Sequence, residues 1–352
     1  MSLSEVEGPA GAPWERPMHG TLDRLVVESE LLAGNPLGDP ARRPLYVYRP
    51  PGVEPGHPRP LPSVYVIQGY TGQLDMWTAR RDAFEPTVIE RVDAMFAAGE
   101  CRDAIVVFVD AWTAYGGSQF VNSTSTGAYQ DYLCDEVVPF VDSRYPTAAG
   151  RDHRGLTGKS SGGYGAMVVP MRRPDVFGAL ASHAGDALFE VCYLADFREA
   201  ARALRDDFDG SYDVFFERLA AAPYVDFDRF GAPLENYAYA ACYSPDPARP
   251  GKAQLPFDIA TGRLVDDVWA RWLEQDPVRM APRHADALRS MRRIYLDAGR
   301  RDEYYLDLGA QAFAAELDRL GAAHTLELFD GKHAGLAYRY PGAIRELVTA
   351  LT

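Results

Sequence analysis

The stretch of this 352-residue chain best equipped for chemistry is Leu156-Thr157-Gly158-Lys159-Ser160-Ser161-Gly162-Gly163-Tyr164-Gly165-Ala166. A serine hydroxyl is a weak nucleophile near neutral pH and attacks a carbonyl only when an adjacent base takes its proton. Gly158 and Gly162 flank Ser160 in the G-x-S-x-G spacing of a nucleophile elbow, a sharp strand-to-helix turn. The spacing has a steric reason. The serine sits on strained backbone, and side chains two residues to either side would collide with the neighbouring strand and helix. Gly163 and Gly165 let the following helix approach a sheet closely. A Gly/Ser-rich loop would also match the pentapeptide, so its flanks decide. Residues 153–157 form a short strand-like run before Ser160, and residues 164–169 an apolar helical run after it, closed by Pro170.

Residues 158–166, followed by Arg173-Pro174-Asp175-Val176-Phe177, resemble the elbow and helix of the esterase D-like family of α/β-hydrolases. That family includes S-formylglutathione hydrolases, feruloyl esterases, enterochelin-ester hydrolases and mycolyltransferases. Residues 35–39 and the strand after them are similar to its front end. The resemblance runs from about Leu31 to the C-terminus, with one long interruption. It implies an α/β fold and a Ser-His-Asp triad that cleaves a carboxylic ester or thioester through an acyl-enzyme, with no metal or organic cofactor. The substrate is left open. An acyltransferase with an alcohol acceptor would use the same triad, and a non-catalytic binding protein on a hydrolase fold is the more distant alternative.

In α/β-hydrolases the acid precedes the histidine, and both follow the serine in the chain. Asp302 lies in a loop just past a strand end, and Asp297-x-Gly299-x-x-Asp302 resembles the family's D-x-G-x-x-D, whose second aspartate is the acid. Asp297 and Glu303 are the alternatives. His333 follows Gly331 beyond the last strand and resembles the family's G-x-H. Of the other six histidines, His19, His57 and His153 precede the elbow, His284 falls in the insertion, His324 starts a strand, and His183 ends the strand after the elbow. A tetrahedral oxyanion needs two backbone N–H donors. Ser161 offers one. Gly69-Tyr70-Thr71-Gly72 resembles the family's H-G-x-x-G, with Gln68 in place of the histidine, and Tyr70 offers the other. Trp77, Trp112, Tyr115 and His183 are candidate pocket walls. The alternative for the aromatic loop 110–120 is that it packs beneath the insertion.

These residues need a scaffold. Residues 21–31 and 45–52 read as an antiparallel edge hairpin. Residues 63–69 and 104–109 are apolar on both faces, as buried central strands are. Residues 179–183, 293–299 and 324–329 read as further strands. Helical patterns occupy 83–98, 127–141, 307–320 and 341–351. The alternation predicts a mostly parallel, doubly wound sheet with helices on both faces. From about 187 to 290 no strand run occurs. Helical stretches at 189–208, 212–221 and 264–273, and one opening at Asp276-Pro277, predict a helical cap inserted into one hydrolase domain spanning 21–352. A second independent domain is the alternative. Residues 1–20, rich in Gly, Pro and Glu, read as a loose extension.

Composition sets outer bounds. A chain of this length that is 47% hydrophobic can bury a large core. A formal net charge of −14 disfavours nucleic acid and anionic membrane surfaces as partners. The four cysteines, Cys101, Cys134, Cys192 and Cys242, form no C-x-x-C pair and are expected as free thiols. The N-terminus lacks a basic start and an apolar segment, and no apolar run reaches a membrane span, so a cytoplasmic protein is expected. The expected partner is a small-molecule ester. No motif fixes the oligomeric state, and a homodimer is compatible.

Overall fold

Alternating apolar side chains make a sheet that is buried on both faces. The structure, a computed structural model, describes residues 17–82 and 84–352. Its strands in chain order are β1 (Thr21–Glu28), β2 (Arg42–Arg49), β3 (Ser63–Ile67), β4 (Ile105–Val109), the two-residue β5 (Asn122–Ser123) and β6 (Gly127–Ala128), β7 (Arg154–Lys159), β8 (Ala179–His183), β9 (Arg293–Gly299) and β10 (Thr325–Phe329). Eight of them form one sheet in the order β1-β2-β4-β3-β7-β8-β9-β10. The β1–β2 hairpin is antiparallel at the edge, as its pattern predicts, and β2 pairs antiparallel with β4; every other pair is parallel.

The helices are α1 (Val88–Ala97), α2 (Tyr129–Asp131), α3 (Val138–Asp142), α4 (Ser161–Arg172), α5 (Phe189–Cys192), α6 (Leu194–Asp207), α7 (Tyr212–Ala221), α8 (Phe227–Tyr243), α9 (Asp266–Leu273), α10 (Pro277–Met280), α11 (Ala285–Arg289), α12 (Leu306–Leu320) and α13 (Tyr340–Leu351). Successive strand residues serve opposite layers. Val64, Val66, Val106 and Phe108 pack with residues of α1 and α13. Tyr65, Ile67, Ile105 and Val107 pack with residues of α3 and α4. The expected doubly wound fold is therefore the observed one.

The differences are local. The helix expected over 127–141 begins at Tyr129 and widens into a π-helical turn, Tyr132–Val137, just before Pro139. Proline has no N–H to give and crowds the preceding turn, and the wide turn accommodates both. Pro170 does not close α4, which continues to Arg172, and Arg173 N–H still donates to the Val169 carbonyl at 2.7 Å. The extension expected over 1–20 lies mostly outside the described residues. Its end is tied down rather than loose, because the His19 and Gly20 amides donate to the Asp93 carboxylate at 3.0 and 2.7 Å.

Between β8 and β9 run α5 to α11, and among the described residues strand pairing there is limited to the isolated bridges Pro245–Ala253 and Phe257–Leu264. This insertion shares one apolar cluster with the sheet: Phe189, Phe197, Phe215 and Trp272 pack in the same core as Leu180, Ile294 and Leu296. Its longest helix, α8, is absent from the sequence reading, where Gly231 and Pro233 interrupt the helical pattern. Among the described residues no helix is long and apolar enough to cross a membrane.

The elbow glycines are as crowded as the spacing implies. A Cβ on Gly162 would lie 2.5 Å from the Ile67 carbonyl oxygen, and one on Gly158 would lie 2.5 Å from that of Gly162. Both obstacles are backbone and cannot rotate away. Gly162→Ala is expected to destabilise the fold by about 2 kcal/mol or more, the cost of overpacking a rigid site. Urea unfolding checks this against Gly342→Ala, where the same methyl meets open space.

Candidate active site

The sheet brings the expected residues to one edge. In register, Ile67 pairs with Gly158, Lys159 with His183 and His183 with Asp297. The loops after β3, β7, β9 and β10 therefore leave the same side of the sheet, where ligands bind in open α/β folds. Ser160 sits between β7 and α4 at φ 59° and ψ −127°. Its amide donates to the carbonyls of His183 at 3.0 Å and Ala184 at 3.1 Å, which holds the strained turn.

His333 Nε2 lies 3.1 Å from Ser160 Oγ, and His333 Nδ1 lies 2.8 Å from Asp302 Oδ2. The Asp302 side chain is fully buried, and its second oxygen accepts the Tyr304 amide at 2.9 Å. Two amides pin the acid loop to the histidine loop: Arg300 N–H donates to the Phe329 carbonyl and Arg301 N–H to that of Gly331, both at 2.9 Å. The Tyr304 ring meets the imidazole edge-on at 4.8 Å between centroids. Of the three candidate acids, Asp302 is the one that reaches this ring. Asp297 is buried elsewhere, paired with His183 Nδ1 at 2.8 Å and Arg339 Nε at 2.8 Å. Glu303 accepts the His333 amide at 3.0 Å, and that bond, with Lys332, holds its carboxyl down at about 2.

Tyr70 and Ser161 flank the nucleophile. The Tyr70 N–H has no acceptor among the described residues, and Ser161, the first residue of α4, has no intrahelical acceptor for its own. A Cβ on Gly69 would come within 3.3 Å of Ser160 Cβ, so the β3 loop runs directly beside the serine.

The pocket walls differ from those expected. A cavity of about 300 Å³ opens on Ser160 and His333, and Trp77, Trp112, Tyr115 and His183 are not in its lining. Trp77 is buried against Phe108 and Tyr340. Trp112 lies beneath the Arg43 guanidinium. Tyr115 bonds Gly251 O at 2.8 Å and packs on Phe216 and Tyr237, which is the under-the-insertion alternative. His183 is sealed in its pair with Asp297. A loop side chain's direction depends on what packs on it: α13 holds Trp77, Arg43 holds Trp112, Asp297 holds His183, and the insertion holds Tyr115.

The actual lining includes Tyr193, Tyr239 and Phe227 from the insertion and three carboxylates, Asp186, Asp196 and Glu235, that sequence reasoning missed. Asp186 Oδ2 accepts from Tyr193 OH at 2.9 Å, Gln119 Nε2 at 3.2 Å and Ser161 Oγ at 3.3 Å. Burial pushes its carboxyl upward. Burial, followed by neighbouring acids, pushes Asp196 and Glu235 up to about 7. Lys159, half-buried beside them, is pushed down by desolvation. The sole sequence signal for Asp186 was its position just beyond a strand at the catalytic edge.

The mostly parallel sheet with helices on both faces is the α/β-hydrolase architecture. The family model described as "Esterase: Putative esterase" matches residues 40–333, and the chain belongs to this family of carboxylic ester hydrolases. Over 135 residues it is 27% identical to an endo-1,4-beta-xylanase/feruloyl esterase of Xylanibacter ruminicola, a match spanning 38% of this chain and 18% of that relative's length. It is similar to the solved structure of a ferulic acid esterase (TM-score 0.59, 17% identity, covering 95% of this chain and 100% of that one). It is also similar to an S-formylglutathione hydrolase from Agrobacterium tumefaciens (TM-score 0.57, 15% identity, covering 96% and 98%). At these identities the likeness is one of fold.

The raised carboxyl of Glu235 has a consequence for stability. Its folded-state value lies above its ordinary one, so the folded protein holds the extra proton between them. Stability therefore falls as pH rises through that window, and the full cost is present above about 7. Glu235→Gln, which retains the oxygen that accepts Tyr239 OH, removes this cost. It is expected to raise the melting temperature by on the order of 2 °C at about pH 8 and by much less at about pH 5. Thermal scans of both proteins at the two pH values check it.

Proposed function

We propose that the chain is a serine esterase that works through an acyl-enzyme. The observation carrying this reading is the continuous hydrogen-bonded chain from Ser160 Oγ through the His333 ring to Asp302. Ser160 attacks the ester carbonyl while His333 Nε2 takes its proton. Asp302 fixes the ring's orientation at Nδ1 and stabilises the imidazolium. The N–H groups of Tyr70 and Ser161 hold the oxyanion of the tetrahedral intermediate. On collapse, His333 returns the proton to the departing alcohol or thiol. Water then repeats the sequence on the acyl-enzyme and releases the acid. The insertion limits access of bulk water to this cavity, which strengthens each of these electrostatic contacts.

Ser160→Ala is expected to abolish both ester hydrolysis and labelling by a fluorophosphonate, with the melting temperature kept. Ser161→Ala should retain most turnover, because its part is played by the backbone. Asp302→Asn should lower kcat by roughly a thousandfold or more. Loss of labelling in Ser161→Ala but not in Ser160→Ala would overturn the assignment of the nucleophile.

A further inference from the structure

The cavity's lining has more to say about substrate than the triad does. Asp186 is 3% exposed, yet it borders the cavity. All three of its donors land on Oδ2; among the described residues no donor reaches Oδ1, which is not sealed in the interior and is left to the cavity. Asp196 and Glu235 border the same space, with Tyr193, Tyr239 and Tyr304. Tyr193 and Tyr239 pack ring to ring at 4.8 Å. In the lining, the cationic group set against the carboxylates is Lys159, with His333 engaged by Ser160 and Asp302.

We infer that the site takes esters bearing an ammonium group, seated between the Asp186–Asp196–Glu235 wall and the tyrosine rings. This rests on the esterase reading above. The chemistry favours a cation over a neutral donor. A hydroxyl would satisfy Asp186 Oδ1 but would leave the mutual repulsion of the acids in place. An ammonium satisfies that oxygen, offsets the repulsion, and is attracted to the faces of aromatic rings. A carboxylate-bearing ester would add a further like charge to a poorly solvated wall.

The test uses two matched ester sets, one varied in the acyl group and one in the alcohol. The first comprises methyl 6-aminohexanoate, methyl heptanoate, methyl 6-hydroxyhexanoate and monomethyl adipate. The second comprises 5-aminopentyl, hexyl, 5-hydroxypentyl and 4-carboxybutyl butanoates. In at least one set, kcat/KM for the ammonium ester is expected to exceed that of its neutral partners by on the order of tenfold, with the carboxylate ester lowest. The chain's overall negative charge also attracts cations, so the wall must be isolated. In Asp196→Asn/Glu235→Gln the ammonium-to-neutral ratio should fall toward one, while a general surface effect would leave it unchanged.

In the wild type the ratio should rise from about pH 6 to about pH 8 as Asp196 and Glu235 lose their protons. Asp186, Tyr70, Tyr239, Tyr304 and Glu199 face these two acids, and any effect of pH on the attack by Ser160 is common to every ester and cancels in the ratio. Fluorophosphonate labelling of Ser160 runs alongside. Labelling intact with the neutral or hydroxyl ester preferred, or a ratio indifferent to the double substitution or to pH, overturns the inference and leaves the esterase reading standing. No labelling and no turnover of any ester overturns both.

Discussion

The backbone of Ser160 is the constraint on which the site depends. A non-glycine residue at φ 59° and ψ −127° costs about 1–3 kcal/mol and persists only where its surroundings over-determine it. Here they do. The Ser160 amide is shared between two carbonyls at the end of β8, and Gly158 and Gly162 touch backbone on both sides of the turn. This arrangement requires β7 beside β8 with Lys159 opposite His183, and β3 on the other flank with Ile67 opposite Gly158. Other left-handed residues cluster on the same edge: Thr71, Gln119, Ala184, Leu188 and Tyr305. Thr71, Gln119 and Ala184 lie in the loops after β3, β4 and β8, and Leu188 and Tyr305 open α5 and α12.

Much of this was legible in the sequence because it is carried by main chain and by chain order. Glycines at fixed offsets announce a turn that a Cβ would block, and apolar runs announce strands buried on both sides. Asp302 and His333 are set by where their loops leave the sheet, not by the side chains around them. What failed depended on long-range packing. Trp77, Trp112 and Tyr115 lie in loops at the right edge, but their rings turn toward α13, Arg43 and the insertion respectively. Helix α8 was hidden because Gly231 and Pro233 look like breakers in isolation, whereas the helix lies in a tightly packed aromatic cluster that stabilises it. Asp186 falls between the strand ending at His183 and the insertion beginning near 187, where no motif marks it.

One buried carboxylate ties the two ends of the insertion to each other. Asp276, fully buried, caps α10 by accepting the Val278 amide at 3.0 Å. The same carboxylate accepts the Leu188 and Phe189 amides at 3.1 and 3.0 Å, which begin α5. One side chain thus joins the first helix of the insertion to one near its end, close to where both return to the sheet. Beside it, Gly309 of α12 passes so near Ala187 that a Cβ would lie 2.5 Å from its carbonyl oxygen. The helix-start signal at Asp276-Pro277 was readable as a cap, while its second role needed a partner 87 residues away.

The same junction bears on how the acidic wall is tolerated. Three carboxylates beside one another in poorly solvated surroundings repel, and a flexible lid would relieve that by opening to water. The insertion cannot readily do so, because its aromatic cluster is continuous with the core beneath β8 and β9 and its root is fixed at Asp276 and Gly309. Relief then comes from within. Protons raise Asp196 and Glu235 toward neutrality, Asp186 gathers three donors on one oxygen, and Tyr239 gives its hydroxyl to Glu235 at 2.7 Å. The insertion thus keeps a partly desolvated acidic wall on the cavity that Ser160 lines. Asp186 and His333 border one cavity and attract each other across it, so the acidic wall and the Ser160–His333–Asp302 chain share one electrostatic environment.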